Sequence, residues 1–97
     1  MHLEVVSPEA VLFSSKVDFI SVPGTDGEFQ MLNNHAAIVS TLKEGIVKIH
    51  VHTQEHLELD DLHGKIIRHA DDDKILTLAI KSGTIELKDN NAIILVD

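Results

Sequence analysis

Alternation of apolar and polar residues with a period of two constrains this chain more than any other feature. Ile46-Val47-Lys48-Ile49-His50-Val51-His52 is β-branched and nearly alternating. Lys74–Ile80 (KILTLAI) and Ala92–Val96 (AIILV) read the same way, and Leu57-Glu58-Leu59 is a shorter instance. In Val17-Asp18-Phe19-Ile20-Ser21-Val22, one face carries Val17, Phe19 and Ser21 and the other Asp18, Ile20 and Val22, so both faces are partly apolar. These runs are short and bounded by Gly, Asn, Asp or Pro. Such punctuation predicts strands in an all-β sandwich or barrel.

Helix signals are weak by comparison. Asn34 could cap a helix over Asn34–Lys43, but Ile38, Val39 and Thr41 are β-branched and Gly45 ends the run early, so a strand is expected there. Leu59–Ala70 is ambiguous, because Gly64 interrupts it. Asp71-Asp72-Asp73 reads as a solvated loop. With no repeat and no linker, residues 1–97 are expected to form one domain, with an atypical His- and Asp-rich segment at about 50–73.

Composition removes several classes of function. The formal net charge of -8 argues against nucleic acid, which needs clustered Lys and Arg. The chain has no cysteine, so it offers no disulfide, thiolate metal site or thiol nucleophile. No basic segment followed by a long apolar stretch opens the chain, and no apolar run approaches the length of a span. Neither a signal peptide nor direct membrane insertion is expected. Nucleophile motifs of the G-x-S-x-G or S-x-x-K kind are missing, as is a Gly-rich phosphate loop opening a helix. No residue volunteers for catalysis, and no cofactor is implied.

Histidine is the one abundant ligand type. His50 and His52, two apart on a strand, would point to the same face. Imidazole pairs can begin a transition-metal site. The surrounding spacing nearly matches the cupin pattern, but each gap is off by one and a second motif is lacking. A cupin-like barrel with metal on His50 and His52 is therefore the alternative reading, and no metal is the first.

Read in order, the runs carry a resemblance. Val5-Val6-Ser7-Pro8-Glu9, Leu12-Phe13-Ser14, Val17–Gly24 (VDFISVPG), Gly27-Glu28-Phe29-Gln30-Met31-Leu32, His35-Ala36-Ala37-Ile38 and Lys43–Ile49 (KEGIVKI) follow one another as in the N-terminal β-sandwich domain of the epsilon subunit of F-type ATP synthase. Ser82–Leu87 and Ala92–Asp97 resemble that family's closing hairpin and last strand more weakly. The family usually writes Leu-Pro-Gly-His-Ala-Pro where this chain has Leu32-Asn33-Asn34-His35-Ala36-Ala37. Asn-Asn can still turn, because Asn tolerates the left-handed region. Segment 50–73 departs from the family pattern.

The resemblance implies a flattened ten-stranded sandwich or barrel of two antiparallel sheets. It implies a non-catalytic rotor component in the central stalk, linking the gamma subunit to the membrane c-ring and coupling proton flow to ATP synthesis. Such a protein would sit on the cytoplasmic side of the bacterial inner membrane, peripherally, in the F1 sector. Glu28 and the Asn33-Asn34-His35 turn would face the ring, and Ser7, Val39 and Ile46 would face gamma. Phe29, Met31 and Leu32 would anchor their strand in the core. The chain stops where the family continues into a helical hairpin, so coupling without the hairpin's inhibitory motion is expected.

Overall fold

The computed structural model describes residues 1–51, 66–68 and 75–97. Ten strands appear among the described residues: β1 (His2–Val6), β2 (Val11–Lys16), β3 (Phe19–Gly24), β4 (Gly27–Leu32), β5 (Ile38–Leu42), β6 (Gly45–His50), β7 (Ile66–Arg68), β8 (Ile75–Ile80), β9 (Gly83–Lys88) and β10 (Asn91–Val96). The all-β class is as the alternation predicts, and Asn34–Lys43 contains a strand rather than a helix. Leu57–Leu59, Asp71–Asp73 and His52 lie outside the described residues.

Hydrogen bonding joins the strands into one path, β2-β1-β10-β9-β5-β3-β6-β8-β7, with β4 on the other edge of β3. The sheet curls so that two layers share a core. The first layer is β2-β1-β10-β9-β5; the second is β4-β3-β6-β8-β7. Every pairing is antiparallel except β1 with β10, which is parallel.

Period-two alternation fills the space between layers. Leu3, Val5, Ile85, Leu87, Ala92, Ile94 and Val96 point inward from the first layer. Ile20, Val22, Met31, Val47, Ile49, Leu76, Leu78 and Ile80 meet them from the second. Aliphatic burial of this kind contributes roughly 25 cal/mol per Å2 of apolar surface removed from water. With only three aromatic residues, all Phe, the core is filled by interdigitated Ile, Leu and Val.

One irregularity enlarges the core. Leu12 and Phe13 are consecutive yet both buried, which a regular strand with one wet face cannot achieve. The register jumps there: Val5 faces Phe13, and Val6 faces Val11. Leu12 is the extra residue of a β-bulge, turned inward at the rim.

Strand β4 corrects one sequence expectation. Met31 is fully buried and Phe29 packs against the core. Leu32, expected in the core with them, is 55% exposed. Period two gives the reason: Met31 faces in, so its neighbour must face out.

Turn chemistry closes the hairpins. β9 and β10 are joined by two residues, Asp89 and Asn90, both at positive φ (51° and 63°). That is the geometry of a type I′ turn, whose twist matches the strands. Thr25-Asp26 joins β3 to β4, and Gly27 follows at φ 132°. A Cβ on Gly27 would meet nothing within 4 Å, so backbone conformation rather than space selects glycine there.

Ile49 is wholly buried on the inward face of β6. Ile49→Ala is expected to lower unfolding free energy by about 2–5 kcal/mol. Urea titration checks this, with the midpoint falling and the slope unchanged.

Candidate partner-contact surfaces

The turns fall at two ends of the sandwich. One end holds the Ser7–Ala10 turn, Thr25-Asp26, the β5–β6 corner and Lys81-Ser82. The backbone ties it: Lys43 N–H donates to the Pro23 carbonyl (2.8 Å) and Thr25 N–H to that of Thr41 (3.2 Å). The opposite end holds Met1, Val17-Asp18, the Leu32–Ala37 connection and Asp89-Asn90. There His2 N–H donates to the Asn90 carbonyl (3.1 Å) and Asp18 N–H to that of His50 (2.8 Å).

The four residues expected at the ring divide between these ends. Glu28 stands beside Thr25-Asp26. Asn33, Asn34 and His35 stand at the far end of β4. Five residues of extended chain separate Glu28 from Asn33, roughly 16 Å at about 3.3 Å per residue. The fold thus brings Asn33, Asn34 and His35 together and keeps Glu28 apart from them.

The Asn-Asn turn forms as its sequence suggests. Asn34 adopts φ 64°, and His35 N–H donates to the Leu32 carbonyl at 3.1 Å. The Asn33 side chain and the Asn34 backbone are engaged within the protein. Asn33 Oδ1 accepts from Asn90 Nδ2 (2.9 Å) and from the Met1 ammonium (2.7 Å). Asn34 N–H donates to Asn90 Oδ1 (2.8 Å). Asn90 therefore clasps the β4–β5 connection, which crosses between layers, to the β9–β10 turn. His35 Nδ1 lies 2.7 Å from the Ala36 carbonyl oxygen. That oxygen can only accept, so Nδ1 carries the proton.

Glu28 is exposed on the outward face of β4. One carboxylate oxygen accepts a 2.6 Å hydrogen bond from Ser21 Oγ.

The three residues expected at gamma differ in setting. Ser7 is only 8% exposed. Its hydroxyl donates to the Ala10 carbonyl (3.3 Å) and accepts from Ala10 N–H (3.2 Å), closing the β1–β2 turn. Val39 is 74% exposed on the outer face of the first layer. Ile46 is 45% exposed on the outer face of the second, opposite Ala79. Val39 and Ile46 stand on either side of the corner where the chain passes from β5 to β6.

Sequence reading missed the company Val39 keeps. Registers across the first layer give one outward row, Glu4–Ile93–Glu86–Val39, and beside it another, Val11–Val6–Leu95–Thr84–Thr41. Val11, Ile93, Leu95 and Val39 are all exposed large apolar residues. The outward positions of Ala92–Val96 carried the signal: Ile93 and Leu95 fall on the face where an ordinary one-sided strand carries polar residues.

The metal alternative meets a different geometry. His50 stacks on Phe19 with ring centroids 3.8 Å apart and planes at 17°. It is half-buried on the outer face of β6, whose inward positions are Val47 and Ile49. A barrel-interior imidazole site at His50 is thereby ruled out. Among the described residues, no three His, Cys, Asp or Glu gather as a metal site would require.

Residues 1–97 match the family model described as "ATP synthase, Delta/Epsilon chain, beta-sandwich domain". The chain belongs to this family. Relatives named ATP synthase epsilon chain include one from Campylobacter fetus, 34% identical over all of this chain and 60% of the relative. Another from Leptospira interrogans is 33% identical over all of this chain and 61% of the relative. One from Hyphomonas neptunium is 41% identical over 71% of this chain and 42% of its own. This epsilon-family chain thus spans about 60% of the length of the relatives that it matches end to end. The central stalk and c-ring structure of the Tetrahymena thermophila mitochondrial ATP synthase contains a chain of the same fold: TM-score 0.72 and 15% identity, over 98% of this chain and 61% of that one.

Asn34 tests the local account of this epsilon-family turn. Asn34→Gly should leave thermal stability nearly unchanged, since glycine accepts positive φ freely. Asn34→Val should lower stability by about 1–3 kcal/mol, because a β-branched residue is strained there. Thermal unfolding followed by circular dichroism distinguishes the two.

Proposed function

We propose that this chain is a non-catalytic rotor component of a proton-translocating ATP synthase. In this reading it joins the gamma subunit to the membrane c-ring on the cytoplasmic side of the bacterial inner membrane. Family membership and the bacterial relatives support the assignment. The stiffness of the fold supports the mechanism. A slab of paired strands around an aliphatic core resists shear, and torque reaches it only through its outer surfaces.

The observation that carries the gamma contact is the exposed apolar face of the first layer. Val11, Ile93, Leu95 and Val39 lie on one surface, carried by β2, β10 and β5, with β1 and β9 between them. Ser7 shapes the turn at the end of that surface. Ile46 extends the contact around the β5–β6 corner. Glu4 and Glu86 interrupt the apolar row, which favours a partner with apolar groups flanked by cations. At the ring, Glu28 makes the contact at the Thr25-Asp26 end. Asn33, Asn34 and His35, at the far end of β4, contribute only if the ring loops reach along that strand.

Val39→Asp and Leu95→Asp should each fold, since both side chains are exposed, yet weaken gamma binding about tenfold or more. Co-purification with gamma, followed by titration, measures this. Wild-type affinity in both folded variants would refute the first-layer face. Ile46→Asp, measured alongside, reports whether gamma wraps the corner.

A further inference from the structure

Ser21 has a setting the rotor reading leaves unexplained. It is a polar residue at 1% exposure in the middle of a strand. Its register partners are Gln30 on β4 and Lys48 on β6. Glu28 lies diagonally across from it, two residues along β4 from Gln30. Diagonal neighbours on one face are within reach of a long side chain. Ser21 Oγ spans that diagonal, donating to Glu28 Oε1 at 2.6 Å. The distance is in the short range expected of a hydroxyl donating to a carboxylate.

The bond joins unlike groups. Ser21 is fixed by β3, which pairs along both edges. Glu28 begins an edge strand and would otherwise sample several rotamers. Among the described residues, no other hydrogen bond holds the Glu28 side chain. One oxygen is therefore anchored to the centre of the layer, and the second can accept from an incoming donor.

We infer that Ser21 is a positioning residue for Glu28, drawing its carboxylate back over the outer face of β3 and leaving the second oxygen for a cationic or N–H donor on the partner that covers this face. This rests on the reading of Glu28 as the ring-facing contact. The advantage is preorganisation. A glutamate ordered only on binding gives up rotamer entropy at that moment, whereas one held beforehand does not.

The test is the affinity of the chain for an immobilised gamma–c-ring complex, at a temperature where every variant is folded by circular dichroism. Ser21→Ala should weaken binding roughly threefold to tenfold, the factor set by immobilising one rotamer-rich side chain. Ser21→Thr, which keeps the hydroxyl, should bind within about twofold of wild type by the same reasoning. In a Glu28→Gln background, Ser21→Ala should add nothing further, because the two residues act as one unit. If Ser21→Ala fails to fold, Ser21→Cys replaces it, since a thiol is a weak donor of similar shape. Wild-type affinity in the variant lacking the hydroxyl overturns the inference, as does an equal loss with and without Glu28. If Glu28→Gln alone binds as tightly as wild type, the ring-contact reading falls and this inference falls with it.

Discussion

The pairing of strand β3 on both edges is the constraint from which the rest of the molecule follows. β4 takes one edge along its full length. The other edge is shared: β6 pairs with Phe19–Ser21, and β5 meets it at Gly24. One strand thus belongs to both layers, and the sheet must turn there. Gly45 makes the bend possible at close quarters, because a Cβ on it would stand 2.7 Å from Pro23 Cβ. Once the corner is set, each layer grows outward from it and inward-facing aliphatics meet across the gap. Pro23 fits the same logic. It has no N–H, but its carbonyl accepts from Lys43, so it serves as an acceptor at the bend.

Much of this was legible in the sequence, for identifiable reasons. Where apolar residues alternate over five or more positions, as in β6 and β8, the strand and its buried face could both be read; in β10 every residue from Ala92 to Val96 is apolar, so the strand was legible and its buried face was not. Asn33-Asn34 announced its turn through the one conformation Asn tolerates and most residues do not. Leu12 was harder. Its burial depends on a bulge, and a bulge is a relation between two strands. Leu32 was misread because an apolar residue beside Met31 looks like core until the strand's phase is fixed. Ser21 shares a partly apolar face with Val17 and Phe19 in the sequence, and its burial comes from the strands on either side.

The partner-contact residues show the same boundary between local and non-local information. Glu28 and Asn33 are five residues apart in the chain, which suggests one surface, but an extended strand turns that interval into most of the sandwich's height. Val39, Ile93 and Leu95 are far apart in the chain and share a surface, because β9 lies between β5 and β10. Sequence separation misleads in both directions where strand order is not sequential. The family resemblance supplied the order of the motifs and the roles it implied. It could not say which of those residues the fold gathers at one end.

The parallel pairing of β1 and β10 bears on how the chain is built. β10 inserts between β1 and β9, so the central member of the first layer comes last in chain order among the five strands of that layer. Until residue 96 emerges, the β1–β2 hairpin has no neighbour and β9 has an open edge. Its aliphatic face must wait in the nascent chain for a strand some ninety residues downstream. Closure across so long a loop is an intrinsically slow class of event, and the unpaired edge is open to wrong partners meanwhile. The first layer can therefore close only after β10, some ninety residues downstream of β1, has emerged.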